Sequence, residues 1–168
     1  MKKTMIALAM ALYASPSFAE DLNFTIPKNY ASVLHMDQGG IRIDEYTPRG
    51  QTAVNWRRMI TVNRTAGRKQ PPQKVLSNFT TSLGKLCPSR TVNALPGPGV
   101  SARIDCTTMT DVDRQTIFAR VIQSRLNTYL LLISFRNEKV DEAEASIARA
   151  ALASATVSAG SPAVLRTQ

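Results

Sequence analysis

Histidine is almost missing from this chain: 168 residues contain one, His35. With it go most familiar catalytic patterns, for there is no HExxH, no GxSxG and no glycine-rich loop of the kind that cradles phosphates. A Ser-His-Asp hydrolase would have to use His35, which lies in Val33-Leu34-His35-Met36, a run that reads as an ordinary strand. Acidic residues are also scarce, twelve against 21 Lys and Arg. Asp44 and Glu45 are adjacent, hence on opposite faces of a strand, and make no catalytic carboxylate pair. Asp111-x-Asp113 resembles the start of a calcium loop but lacks its glycine and closing glutamate, so it reads as a turn. No cofactor and no metal site is expected, and the chain is not expected to be an enzyme. A periplasmic hydrolase with a dispersed site is the alternative.

Long apolar runs are lacking too. None reaches the roughly 18 residues a membrane-spanning helix needs, so the mature chain carries no expected transmembrane segment. The first 19 residues instead carry a basic start, Lys2 and Lys3, a short apolar middle from Met5 to Ala14, and the small-x-small site Ser17-Phe18-Ala19. They are read as a signal peptide, with the mature chain beginning near Glu20 and destined for the periplasm or for secretion. No cysteine follows the cut, so no lipid anchor is expected there.

Only two cysteines occur, and in an oxidising compartment an even pair implies a disulfide. Cys87 follows the helical pattern Val75, Leu76, Phe79, Leu83 on its apolar face, and Cys106 closes the alternation Val100, Ala102, Ile104 on the buried face of a strand. A Cys87–Cys106 bridge would staple helix end to sheet. By loop closure over 19 residues it would contribute roughly 3 kcal/mol.

What the chain does contain is enough for one domain of ordinary composition, 43% hydrophobic and 20% charged. The single tryptophan, Trp56, sits in the stretch 50–65, where Trp56, Ile60 and Val62 alternate; this is read as the central strand. Before it come strands at 23–26, 31–36 and 41–46, the last two joined by a turn at Asp37-Gln38-Gly39-Gly40. After it, Pro71-Pro72 opens a helix, a short strand lies between Pro88 and the turn Pro96-Gly97-Pro98-Gly99, and the Cys106 strand follows. A turn is expected at 111–114. Residues 115–123 and 128–136 read as a hairpin, both strands central. Asp141 caps a final helix with Glu144 three residues on, whose inner face is taken as Ala143, Ile147, Ala150 and Ala151. The layout is a signal peptide at 1–19, a single α+β domain at 20–158 and a flexible tail at 159–168.

The run Asp44-Glu45-Tyr46-Thr47-Pro48-Arg49-Gly50-Gln51, with Asn55-Trp56 and Met59-Ile60-Thr61-Val62, resembles a pattern of small secreted bacterial proteins of unknown function, E-Y-x-P-x-G-E then N-W-T-x-M-I-T-V. Arg57 stands where Thr is common and Gln51 where Glu is common. The order of elements is also similar to the PsbP-like class. That resemblance implies an α/β/α sandwich with a mainly antiparallel sheet, and it carries no function with it.

Charge remains. The chain is +9, and loss of Lys2 and Lys3 leaves +7, which favours an anionic partner. Arg57, Arg58, Arg64, Arg68 and Lys69 form the densest basic cluster. Arg58 shares the alternation of Trp56, Ile60 and Val62, where a lone charge is costly, so it is expected to pair with Glu45 on the neighbouring strand. Arg57, Arg64, Arg68 and Lys69 are left to form the binding surface. Aromatics, at 6%, do not interleave with these charges as single-stranded nucleic acid would require, and export argues the same way. The function read from the sequence is an exported binding or accessory module of the bacterial envelope, within a secretion or other envelope assembly, that meets an anionic envelope component or an acidic protein.

Overall fold

A computed structural model describes residues 20–67, 70–107 and 114–159. Two antiparallel meanders make one seven-stranded sheet. The first comprises β2 (Tyr30–Gln38), β3 (Ile41–Pro48) and β4 (Arg58–Ala66); the second, β5 (Thr91–Ala94), β6 (Val100–Cys106), β7 (Gln115–Gln123) and β8 (Asn127–Arg136). Helix α1 (Pro72–Gly84) carries the chain from β4 to the far edge, so the second meander works back until β8 pairs antiparallel with β4. The order is β2-β3-β4-β8-β7-β6-β5. A second helix, α2 (Glu142–Ser154), follows β8, and β1 (Glu20–Asn23) pairs antiparallel with β9 (Thr156–Ala159) in a separate ribbon.

Period-2 alternation divides β7 and β8 between two apolar clusters. Phe118, Leu131, Ile133 and Phe135 pack with α2, while Ile117, Ala119, Val121 and Leu130 pack with Leu83 of α1. Because successive side chains of a strand point to opposite faces, these clusters lie on opposite faces of the sheet. The α1 helix reaches β6, β7 and β8. On the rest of its face Leu34, Met36 and Ile41 are exposed.

Local chemistry fixes the joints. Gly39 and Gly40 take φ of 61° and 79° between the paired ends Gln38 and Ile41, the backbone a two-residue hairpin turn requires. Pro72 opens α1 where its missing N–H costs nothing. The Asp141 side chain accepts the Glu144 N–H at 2.8 Å, as an N-cap should.

Several expectations need correction. The strand expected at 23–26 is β1, three residues earlier: Leu22, Phe24 and Ile26 keep turning inward, but only residues up to Asn23 find a ladder partner. The alternation there reports burial and not pairing. The stretch 50–65 is neither wholly strand nor central. Thr52 donates its N–H to the Asn55 carbonyl and accepts the Asn55 N–H on Oγ1, a tight turn that delays β4 to Arg58 and leaves Trp56 outside it. The middle strand is β8. Cys87 lies beyond the end of α1, although its N–H still bonds the Leu83 carbonyl at 2.8 Å.

The inner face of α2 is Ala145, Ala148 and Leu152, with Ala151 beside them, while Ile147 is 70% exposed. Ile147 and Leu152 are five residues apart, about 140° around the helix, so they cannot share a face. Leu152 faces the sheet because its stripe is otherwise alanine and lets the helix approach closely. No strand is expected after α2, but Thr156–Ala159 form strand β9, which takes in the first residue of the expected tail, Ala159. The signal peptide, the turn at 111–113, Arg68, Lys69 and the tail from 160 onward lie outside the described residues.

Candidate functional site

Arg57 and Arg64, expected on one surface, stand at opposite ends of β4. Seven residues separate them, about 23 Å along an extended strand. Arg57 immediately precedes the strand and is exposed, and its guanidinium has neither hydrogen bond nor ion pair among the described residues. Its backbone is nonetheless fixed: the N–H donates to Gln51 Oε1 at 2.7 Å and the carbonyl accepts the Arg136 N–H at 2.7 Å. The Arg136 side chain donates to the Val54 carbonyl at 3.1 Å and lies 5.8 Å from the centre of the Trp56 ring. Val54 itself is 84% exposed. Val54, Trp56, Arg57 and Arg136 thus line an open cleft of about 590 Å³ at one end of the sheet. It presents two guanidinium groups, an indole and an apolar side chain held on ordered backbone. The part played by Arg136 was not visible in the sequence, because it depends on the pairing of β4 with β8 across more than seventy residues of chain.

Arg58 is not paired with Glu45. The register sets Tyr46 opposite Ile60 and Glu45 opposite Thr61, so Glu45 and Arg58 project from opposite faces of the sheet. Arg58 instead donates Nε to Glu138 at 2.9 Å and Nη2 to Glu144, and its guanidinium sits 5.6 Å from the Phe135 ring centre. Glu144 is the residue whose side chain would close a capping box on α2. Here that carboxylate is turned to Arg58 and ties the start of β4 to the start of the helix. Glu45 has no cationic partner among the described residues, and burial pushes its carboxyl above the ordinary range, against a hydrogen bond with Thr61.

The single histidine does meet an acid. His35 Nδ1 lies 2.6 Å from Asp44 Oδ1, and Arg42 donates to the same carboxylate at 2.8 Å. Burial would raise the Asp44 carboxyl, but the hydrogen bonds from Arg42 and His35 outweigh it and hold the group below its usual value. His35 is 55% exposed, and Asp44 is its one hydrogen-bond partner among the described residues, so no hydroxyl or thiol nucleophile adjoins the ring. Nor do three His, Cys, Asp or Glu side chains gather anywhere among the described residues as a metal site would need.

Cys87 and Cys106 are brought together as neighbouring free thiols, both fully buried beneath α1. Burial, with the hydrogen bond and charge of Cys87, pushes the Cys106 thiol up to about 12, so as a thiol it is no nucleophile at neutral pH. No helix among the described residues is long and apolar enough to cross a membrane. No family model, curated protein or solved structure matches the chain.

Proposed function

We propose that this protein is an exported, non-enzymatic binding or accessory module of the bacterial cell envelope, acting in the periplasm or after secretion within a larger envelope assembly. It docks an anionic partner at the end of the sheet that carries Arg57. The observation that carries this reading is the cleft of Val54, Trp56, Arg57 and Arg136, where an exposed, uncompensated guanidinium stands on fixed backbone beside an exposed apolar residue. Arginine and tryptophan are the residues that most often anchor interfaces, and here Arg136 is held in place by the Val54 carbonyl and the Trp56 ring. The net charge of +9, or +7 once Lys2 and Lys3 are removed with the signal peptide, adds long-range attraction to an anionic surface.

The rest of the reading is consistent with this. A helix on either face of an antiparallel sheet suits the PsbP-like α/β/α sandwich, and the motif at residues 44–62 suits the small secreted bacterial proteins with the same pattern. In an oxidising compartment the adjacent Cys87 and Cys106 close into the structural disulfide.

Retention of the purified protein on envelope fragments of its host, at low and at high salt, tests the proposal. Wild type should be held at low salt and released as salt screens the contact, and Arg57→Ala should weaken retention several-fold without changing the unfolding midpoint. Retention that ignores both salt and Arg57 would refute it.

A further inference from the structure

A second, separate cavity lies away from the cleft at Arg57. Between the segment 20–26 and the face of β3, β4 and β8 that packs with α2 there is a pocket of about 310 Å³. Leu22, Phe24 and Ile26 line it on one side, Tyr46 and Val62 on the other. Its polarity changes along the strands. The register places Tyr46 opposite Ile60, then Asp44 opposite Val62, then Arg42 opposite Arg64. The apolar end therefore lies toward Tyr46 and the cationic end at the two arginines.

Like charges directly opposite on neighbouring strands repel, so both arginines need a reason to be there. Arg42 has one in Asp44, which it bonds through Nε at 2.8 Å. Arg64 has only a loose one, an ion pair with Asp37 at 4.0 Å, beyond hydrogen-bond reach; among the described residues its guanidinium has no hydrogen-bond partner. The three acids that also line the pocket are not hydrogen-bonded to Arg64: Asp44 accepts from Arg42 and His35, the Glu20 carboxylate accepts from Ser124, the Leu126 N–H and Asn127, and Asp21 is exposed. Tyr129, opposite Arg64 on β8, donates its hydroxyl to the Glu20 carbonyl at 3.0 Å and so fixes the wall of the cationic end.

We infer that this pocket binds a small amphiphile with one carboxylate, whose head pairs with the Arg64 guanidinium and whose apolar body lies along Val62 and Tyr46 beneath Phe24 and Ile26. A carboxylate matches the planar fork of arginine in charge and shape, and the Arg64 side chain is a third exposed, so its outer nitrogens can be reached. At about 30 Å³ per atom the pocket accepts roughly ten non-hydrogen atoms, the size of a medium-chain fatty acid such as octanoate. The inference does not depend on the cleft at Arg57, which lies at the other end of β4.

Calorimetric titration of the purified protein with octanoate, octanol, octylamine and acetate tests it. Octanoate should bind about tenfold or more tightly than octanol, octylamine or acetate, because only it offers both the anion and the apolar body. Arg64→Met should remove that preference while the fold survives, since methionine keeps the apolar part of the side chain. Phe24→Ala, on the opposite wall, should weaken octanoate but not acetate. Equal binding of octanoate and octanol, acetate binding as well as octanoate, an unchanged octanoate affinity in Arg64→Met, or no binding of octanoate at all would each overturn the inference.

Discussion

Arg58 is the residue whose removal should tell most about how this fold is held together. Its guanidinium bridges Glu138 and Glu144, and it covers the Phe135 ring, so one side chain joins the first residue of β4 to the start of α2. The side chain is 42% exposed, and its two partners about a quarter exposed. Fully exposed ion pairs contribute about 0.2–1 kcal/mol, and breaking a fully buried one costs about 3–5 kcal/mol. A half-buried, two-partner bridge belongs between these, and the contact with Phe135 adds about 0.5–1 kcal/mol. Arg58→Met, which keeps the aliphatic cover, should therefore destabilise the domain by about 1–3 kcal/mol. Urea unfolding would show this as a midpoint lowered by about 1 M, taking a slope of about 2 kcal/mol per molar. A double-mutant cycle sharpens the test. Arg58→Met should couple with Glu144→Gln by about 1 kcal/mol and be additive with Glu45→Gln, whose side chain projects from the other face. An unchanged midpoint in Arg58→Met, or coupling to Glu45 instead of Glu144, would refute the assignment.

Glu45→Gln should stabilise the protein at neutral pH. Burial holds the folded carboxyl above its unfolded pKa, so ionisation opposes folding: the penalty is absent below the unfolded value and complete above the folded one. Thermal melts of wild type and variant should differ at pH 7 and converge as the pH falls through the carboxylate range, and identical melts at pH 7 would count against it. For the cysteines, the proposed export implies that protein recovered unreduced from the envelope or medium and then unfolded should show no free thiol. Once reduced and kept folded, it should resist iodoacetamide at neutral pH, since both sulfurs are buried and Cys106 stays protonated to about pH 12. Free thiols in the unreduced sample, or rapid labelling of the folded reduced protein, would contradict this.

The sequence was most legible where one local rule acted alone. The hairpin of β7 and β8, the alternation ending at Cys106, the Asp141 cap and the Pro72 start of α1 each follow from short-range chemistry that the tertiary structure has no reason to oppose. It misled where two rules compete. In α2 eight of the thirteen positions are Ala or Ser, small enough to lie inside or outside, so helical periodicity does not choose a phase, and contact with the sheet chooses it instead. Around Trp56 the alternation continues through residues whose backbone hydrogen bonds go to a turn and to the Gln51 side chain. Arg58 illustrates the same limit in charge. That it needed an acidic partner could be read from its place on an apolar face, but the partners come from the loop after β8 and from α2, eighty or more residues away.

That separation also explains why the basic residues, clustered in sequence, are divided in space. A strand spends about 3.3 Å per residue and reverses side with each one, so a run of arginines along it is scattered by construction. Arg57 falls in the turn before the strand and reaches solvent. Arg58, one residue on, goes inward to two glutamates, and Arg64, at the far end, is set beneath the segment 20–26. Three arginines within eight residues thus meet three environments. Arg57→Ala should alter binding to a surface, Arg58→Met stability, and Arg64→Met the affinity for a small carboxylate, each largely independent of the other two. A single site spread over the whole cluster would instead make the three substitutions fail together in the same binding assay.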